Sequence, residues 1–159
     1  MVVVTDYPDP DLVKNLWTNV EEYYSSKKSE ERRIVAEGYC WGNDAGRLLA
    51  HLPPDSKTPG FEVLILADLL FNHSEHGKLV STIEGTLQKT KEAKALVFFT
   101  PYRPWLYEKD MAFFTLAKER GFLVEKVLEE KMEKVMFESD PGDEELRRTV
   151  FGFAVKWKL

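Results

Sequence analysis

The chain has 159 residues, 43% hydrophobic and 13% aromatic, which is enough apolar material for one domain with a buried core. The net charge of -5 argues against a general nucleic-acid binder and favours a basic protein partner. One cysteine, Cys40, excludes an internal disulfide, and no secretory leader or apolar run of the roughly 18 residues that cross a bilayer is found. We expect a soluble, cytosolic or nuclear protein.

A short strand and an amphipathic helix are predicted first. Residues 2–5 are mostly β-branched, as in a strand. Asp9, Pro10 and Asp11 then provide a helix cap, a first-turn proline and an acid near the positive end of the helix dipole. The spacing predicts a buried helix face made by Leu12, Leu16, Val20 and Tyr23 or Tyr24. Residues 25–31 are predicted to be a polar loop.

The middle of the chain alternates between strands and helices. Residues 33–41 are predicted as a strand, residues 47–52 as a short helix, residues 55–60 as a loop and residues 61–67 as a strand that is apolar apart from Glu62. Ser74 is expected to cap the next helix. The apolar stripe of that helix would comprise Leu79, Val80, Ile83 and Leu87.

The last third of the chain predicts a change of strand direction. Residues 93–100 form a buried strand, and residues 107–118 an amphipathic helix with Met111, Phe114 and Ala117, ended by Gly121. Residues 122–129 and 148–159 are strands without an adequate helix between them, because residues 139–145 are an acidic turn or loop. The last strand should therefore be antiparallel and half-exposed. The whole pattern predicts an α/β fold with a mostly parallel sheet covered by helices.

Polar side chains follow the apolar strand over residues 61–67. Ligands bind outside the carboxyl ends of strands in α/β domains, so Asp68, Phe71, Asn72 and His73 stand where chemistry is expected. A carboxylate, an amide oxygen and an aromatic face together attract an amine or a cation. The alternative is that Asp68 caps a turn and Phe71 fills the core.

Three further strand ends carry candidate residues. Asp6 could accept hydrogen bonds from ribose hydroxyls, or it could help Asp9 open the first helix. Trp41 could lie against a purine ring, although tryptophan is more often core or rim packing. Residues 100–105, which include Arg103, could line a substrate groove, and stiffening of the loop by its prolines explains them equally well.

Metal, hydrolase and phosphate-loop chemistry find little support. His73 and His76 are one helical turn apart near Asp68, but two histidines and one acid fall short of a convincing zinc or iron site, so we expect no metal. Neither Gly-x-Ser-x-Gly nor Gly-x-x-x-x-Gly-Lys occurs, and Cys40 has no histidine nearby in the sequence.

Four stretches resemble the seven-strand, S-adenosylmethionine-dependent methyltransferases of the lysine methyltransferase-like and nicotinamide N-methyltransferase-like family. They are residues 3–12 (VVTDYPDPDL), 38–44 (GYCWGND), 67–76 (ADLLFNHSEH) and 101–105 (PYRPW). The Asp-x-x-Phe element at Asp68 and Phe71 marks the wider family. The first and last stretches are similar to its fungal subgroup acting on the N-terminus of translation elongation factor 1-alpha. The likeness covers nearly the whole chain.

The resemblance implies a cofactor, a substrate and a role for each residue. Asp6 would hold the ribose of S-adenosylmethionine, Trp41 would pack on or beside the adenine, and Ala67 would lie against the cofactor through its backbone. Asp68, Phe71 and Asn72 would face the incoming amine as catalytic residues. The implied substrate is the N-terminal amine, the adjacent lysine or both, of elongation factor 1-alpha in the cytoplasm. The oligomeric state is not implied.

Two alternatives to this function stay open. One is a small-molecule methyltransferase acting on a pyridine or an amine, as nicotinamide N-methyltransferase does. The other is a catalytically inactive, truncated binding module whose acidic surface holds a basic partner. An N-terminal amine, with a pKa of roughly 7.7 to 8, needs little help from a general base, which suits a site with no obvious strong base.

The chain departs from the family in one respect. The family's first strand and its Gly-x-Gly loop precede the element that starts here at Val2, and none of the nine glycines forms Gly-x-Gly. In the family that strand lies at the centre of the sheet, between the strands that end here at Asp6 and Ala67. We therefore expect residues 1–159 to form a single, partial methyltransferase domain of the Rossmann-like class I fold. We also expect unpaired strand edges and weak or no cofactor binding.

Overall fold

A computed structural model describes residues 1–27, 32–54 and 58–159. The strands are β1 (Val2–Asp6), β2 (Ile34–Gly38), β3 (Val63–Ala67), β4 (Lys94–Phe99), β5 (Phe122–Lys131) and β6 (Thr149–Trp157). The helices are α1 (Pro10–Lys27), α2 (Gly46–Leu49), α3 (His76–Thr86), α4 (Tyr107–Glu119) and α5 (Glu144–Arg147). Short 3-10 turns, His73–Glu75 and Pro104–Leu106, precede α3 and α4. None of these helices is long and apolar enough to span a membrane.

The strands form two separate sheets. β1 and β2 pair in parallel, and the second sheet has the order β3-β4-β6-β5. In that second sheet β3 and β4 are parallel, whereas β6 is antiparallel to both of its neighbours, β4 and β5. The predicted α/β fold, with an antiparallel last strand, is confirmed.

The division between the two sheets falls where a central strand was expected to be missing. Among the described residues β1 pairs only with β2, and β3 pairs only with β4. One face of β3 is also bare, because Val63 is 46% exposed and Ile65 is 71% exposed. Leu66, on the opposite face, is buried. The sheet is therefore covered on one side of β3 only.

The main core lies where α3 and α4 pack together beside the four-stranded sheet. The predicted stripe of α3 is confirmed, since its four residues are all at least 97% buried. The prediction that the last strand is half-exposed is wrong, because Gly152 and Ala154 are buried as well as Phe151 and Phe153. β6 lies between β4 and β5, and a Cβ atom on Gly152 would come within 2.7 Å of the Phe98 ring. Close strand packing therefore requires glycine there.

Helix α1 packs against a narrower surface than its sequence predicts. Its buried residues are Val20 and Tyr24, as predicted, but Leu12 is 43% exposed. The physical reason is that α1 packs mainly against the two-stranded sheet of β1 and β2, which cannot cover the whole apolar stripe. The predicted loop at 25–31 is wrong at its start, since α1 continues to Lys27; residues 28–31 lie outside the described residues.

The predicted helix caps are partly confirmed. Asp9 caps α1, because its Oδ1 accepts the backbone N–H groups of Asp11 at 2.9 Å and Leu12 at 3.3 Å. Ser74 does not cap α3; it lies inside the 3-10 turn, and its hydroxyl donates to Oδ1 of Asn72 at 3.1 Å. The acidic segment at 139–145 is partly helical, since Asp143 caps the short α5.

Candidate active site

Asp68 is fixed at the junction of β3 and β4. Its backbone N–H donates to the carbonyl of Phe98 at 2.8 Å, and its Oδ1 accepts the N–H of Thr100 at 3.1 Å. Asp68 has a φ of 53°, the left-handed region that aspartate tolerates better than most residues. These contacts hold an exposed carboxylate at the carboxyl ends of two parallel strands.

A cavity of about 40 Å³ opens beside Asp68. Its lining residues are Asp68, Leu70, Phe71, Phe99, Thr100, Tyr102, Arg103 and Asp110. The guanidinium of Arg103 donates to the carbonyl of Phe71 at 2.9 Å and so ties the loop after β4 to the loop after β3. Since one water occupies about 30 Å³ in the liquid, the cavity can hold a small group and not a whole ligand.

A buried carboxylate forms the back of this cavity. Asp110 is 6% exposed, and its Oδ1 lies 2.7 Å from Nε2 of His73. Burial raises the pKa of Asp110 above the ordinary carboxyl value, and the hydrogen bond from His73 opposes that rise. Oδ2 of Asp110 has no hydrogen-bond partner among the described residues.

The two neighbouring histidines make different contacts. Nε2 of His76 lies 2.8 Å from the carbonyl oxygen of Leu70, while Nε2 of His73 lies against Asp110. The two rings meet edge to face with centroids 5.5 Å apart. Burial lowers the pKa of His76. Both histidines thus tie the loop after β3 together, and across the described residues no group of three metal-ligating side chains is assembled.

Asn72 lies next to the cavity in sequence but does not line it. Its side-chain oxygen accepts the hydroxyl of Ser74, and its backbone carbonyl accepts the N–H of Glu75 at 3.0 Å. The structure therefore brings Asp68 and Phe71 into one cavity, with Arg103, and leaves Asn72 in the 3-10 turn beside it.

The three residues expected to hold a cofactor lie at the end of β1, three residues beyond the end of β2 and at the end of β3. Asp6 is exposed and its Oδ1 accepts the N–H of Tyr7 at 2.7 Å, while Asp9 performs the capping of α1. Trp41 is half-buried and packs against both apolar clusters, the main core and a smaller one of Tyr39, Ala45 and Leu48. Ala67 is exposed at the end of β3. None of these three residues lines the cavity beside Asp68.

An apolar rim adjoins the cavity, and two of its members, Phe71 and Tyr102, line the cavity. We define the rim as Phe71, Tyr102, Met136 and Phe137. The hydroxyl of Tyr102 lies 3.4 Å from Sδ of Met136, and its ring meets that of Phe137 edge to face at 5.2 Å. Phe71 is 61% exposed and Met136 is 72% exposed. The sequence pattern did not indicate Met136, Phe137 or Asp110, because only tertiary packing carries them to the ends of β3 and β4.

Curated relatives match this chain over nearly its full length. One is the Neurospora crassa protein named "Protein N-terminal and lysine N-methyltransferase efm7", at 57% identity over 159 residues, 98% of this chain and 56% of that protein. Proteins of the same name from Emericella nidulans (50%) and Schizosaccharomyces pombe (43%) match over 98% and 96% of this chain and 61% and 57% of theirs. The chain is homologous to these fungal methyltransferases. It spans less than two thirds of their length.

Solved structures show the same fold at much lower identity. The precorrin-6y C5,15-methyltransferase of Geobacter metallireducens superimposes with a TM-score of 0.52 at 11% identity, covering 99% of this chain and 66% of that one. A protein of Pyrococcus horikoshii gives the same score at 12% identity, covering 99% of this chain and 72% of that one. No protein-family model matches the chain. The methyltransferase homology and the Rossmann-like fold predicted from the sequence are confirmed.

Proposed function

We propose that residues 1–159 form a single, partial domain of an S-adenosylmethionine-dependent protein N-methyltransferase. Its substrate would be the N-terminal amine, the adjacent lysine or both, of translation elongation factor 1-alpha in the cytoplasm. The names of the relatives support a protein amine as the acceptor, at an N-terminus and at lysine. The observation that carries the proposal is the cavity that joins Asp68 to Phe71 at the carboxyl ends of β3 and β4.

Three residues would hold the cofactor. Asp6 offers an exposed carboxylate at the end of β1 that the helix cap does not use, which supports a role in holding the ribose. Trp41 presents an indole between the two sheets, beside which the adenine would pack. Ala67 is exposed, small and next to Asp68, so a ligand can approach its backbone. When bound, S-adenosylmethionine supplies an electrophilic methyl group on a sulfonium.

The acceptor amine would enter beside Asp68. A carboxylate and the face of Phe71 both attract an ammonium group, and Asn72 adds amide oxygens at the edge of the same loop. Methyl transfer needs the amine neutral and aligned, so the main work of these residues is to position it and to exclude water.

The shape of the mouth favours a polypeptide over a small molecule. Small-molecule sites are usually enclosed clefts of about 300 to 1,000 Å³, whereas the cavity here is about 40 Å³ and opens onto the exposed apolar rim. A side chain or chain terminus can insert while its backbone lies along the rim. The names of the relatives, which give a protein as the acceptor, do not favour the alternative of a nicotinamide-like small-molecule enzyme.

We also propose that the gap between the two sheets weakens cofactor binding by this chain. The unpaired edges of β1 and β3 and the bare face at Ile65 leave the cofactor residues Asp6 and Ala67 on separate sheets. A further strand between them would join the two halves of the site. Without it, the 159-residue chain would act at most as an inactive binding module.

Two measurements test these proposals. Calorimetric titration with S-adenosylhomocysteine compares the 159-residue chain with the complete gene product; the short chain should bind weakly or not at all, and micromolar or tighter affinity would refute that expectation. Incubation of the complete product with labelled cofactor and elongation factor 1-alpha should transfer label to the protein. No transfer to the factor, or transfer to nicotinamide alone, contradicts the proposed function.

A further inference from the structure

The His73 and Asp110 pair connects the candidate cavity with the protein surface. Asp110 is on α4 and lines the cavity, whereas His73 is in the turn before α3, with a side chain that is 24% exposed. Their atoms Oδ1 and Nε2 are 2.7 Å apart. Oδ2 of Asp110 keeps its hydrogen-bonding capacity free among the described residues, so an acceptor is available to a group inside the cavity.

Buried carboxylates are usually paired because an unpaired one is costly. Pairing with His73 satisfies one oxygen of Asp110, and Asp110 lines a space that fits an ammonium-sized group. Asp68 adds a second carboxylate at the mouth, and Arg103 anchors the loop above through the carbonyl of Phe71. The charged and titratable neighbours of Asp110 include His73, His76, Arg103 and Tyr107, and Asp68 lines the same cavity.

We propose that Asp110, positioned by His73, accepts the proton that a substrate lysine must lose before methyl transfer. The proposal rests on the proposed methyltransferase function and adds a proton acceptor that the sequence did not indicate. Asp110 would be the catalytic base, because it lines the space that the amine enters. His73 would be a positioning residue, which acts through Asp110.

The proton balance is simple. The substrate ammonium donates to Oδ2 of Asp110, its N–H bond breaks, and an O–H bond forms. When the product leaves, the O–H bond on Oδ2 breaks and Asp110 returns the proton to water at the cavity mouth, while His73 keeps holding Oδ1. The amine keeps the electron pair of the broken N–H bond and uses it for the new N–C bond, and the chain recovers its starting protonation.

The two acceptors named for the relatives differ in their need for such a base. At pH 7.5 an α-amino group, with a pKa near 7.7 to 8, is roughly one third neutral, but lysine, with a pKa near 10.4, is neutral in only about one molecule in a thousand. A general base contributes typically about 10²- to 10⁴-fold in rate. Loss of Asp110 should therefore affect lysine far more than an N-terminal amine.

The first test uses the chain without cofactor. The ring proton of His73 is followed by NMR while butylammonium, a mimic of the lysine side chain, is added to the 159-residue chain. We expect its resonance to shift, and Asp110→Asn to abolish the shift. 1-Chlorobutane, whose head group is close in size to an ammonium and has no proton to donate, is the matched ligand and should leave the resonance in place. Equal shifts with both ligands, or none with butylammonium, overturn the proposal.

The second test measures transfer by the complete gene product to two peptides, one with a free N-terminus and no lysine, the other with a blocked N-terminus and one lysine. Asp110→Asn keeps the shape of the side chain and should lower lysine methylation at pH 7.5 by about 100-fold and N-terminal methylation by less than about tenfold. Glu108→Gln removes the same charge from the exposed face of α4 and should change neither rate.

The pH profile separates chemistry from folding. The rate at which the Asp110→Asn protein methylates lysine should recover as the pH approaches the pKa of the free lysine amine. A folding defect instead lowers both rates at every pH. Equal losses on both peptides, or no recovery at high pH, refute the role of Asp110. Failure of the unmodified protein to methylate either peptide contradicts the proposed function, and the butylammonium titration then decides the proton acceptor by itself.

Discussion

The backbone N–H of Thr100 donates to Oδ1 of Asp68 across 3.1 Å, so the residue after β3 is bound to the residue after β4. Asp68 is thereby both a structural link and a candidate substrate ligand. Its left-handed φ of 53° turns the chain sharply at this point and directs the following residues around the cavity. A substitution at this position must be chosen to separate the two roles.

Asp68→Asn should separate them. Asparagine tolerates the left-handed region and keeps an oxygen for Thr100, so the free energy of unfolding should change by less than about 0.5 kcal/mol. The lost charge should reduce methyl transfer about 10- to 100-fold, in line with the strength of charged hydrogen bonds. Asp68→Ala should in addition lower the unfolding free energy by about 1 to 2 kcal/mol. Urea denaturation and transfer assays measure both effects; unchanged transfer by Asp68→Asn contradicts the assigned role.

The sequence predicted the elements well where local chemistry dominates. Asp9 with Pro10 located the start of α1, and Gly121, with a φ of 89°, ends α4 as expected. The errors came from tertiary context. Leu12 is apolar at a helical spacing, yet it is exposed because α1 packs mainly against a narrow sheet of two strands. Gly152 is small, and its burial follows from the central place of β6 in the sheet.

Gly152→Ala tests that central packing. An added Cβ atom would lie 2.7 Å from the Phe98 ring and 2.8 Å from Cβ of Leu128, so we expect a loss of about 1 to 3 kcal/mol of unfolding free energy from overpacking. Gly85→Ala is the control, because the exposed Gly85 lies in α3 with no atom within 4 Å of an added Cβ. It should stabilise the chain by about 0.5 to 1 kcal/mol. Urea denaturation distinguishes the two, and equal midpoints would contradict this packing.

The candidate site was only half predictable. Asp68 and Phe71 stand out because they interrupt an apolar run, and Arg103 because it follows the next strand. Asp110 had no such signal, since an acid in the first turn of a helix is ordinary dipole chemistry. Its role emerges only when α4 packs beside the 3-10 turn and brings it to His73.

The bare face of β3 predicts self-association of the 159-residue chain. Ile65 is 71% exposed beside a strand edge that has no partner among the described residues, a combination that promotes pairing between molecules. Ile65→Ser should reduce concentration-dependent association in analytical ultracentrifugation and leave the unfolding free energy within about 0.5 kcal/mol. Leu66→Ala, its buried neighbour, should instead cost about 2 to 5 kcal/mol. Association unaffected by Ile65→Ser would show that another surface is responsible.

Stability should fall in mild acid because of His76. Burial lowers its pKa below the ordinary 6.5, so between the lowered value and 6.5 the unfolded chain binds more protons than the folded one. This contribution is complete above about pH 6.5 and is lost as the pH falls toward the folded value. His76→Gln, which keeps a donor for the carbonyl of Leu70, should flatten the dependence of the unfolding free energy between about pH 7 and 5. His73 and Asp110 face His76 in both proteins, so only the difference between the two slopes reports on His76. Parallel slopes would contradict this assignment.

Asp6 and Asp9 offer a matched pair for the cofactor site, since both are exposed carboxylates three residues apart. Asp9 caps α1 through two backbone N–H groups, so Asp9→Ala should cost about 0.5 to 2 kcal/mol of unfolding free energy. Asp6 accepts one exposed N–H, from Tyr7, and Asp6→Asn keeps an oxygen for it, so stability should hold within about 0.5 kcal/mol.

Because two ribose hydroxyls would lose a charged acceptor, Asp6→Asn should weaken S-adenosylhomocysteine binding by the complete gene product about tenfold or more. The Asp9→Ala protein, assayed at a temperature where it is fully folded, should bind like the unmodified protein. Equal weakening by both substitutions would assign Asp6 to the support of α1 and would remove it from the cofactor site.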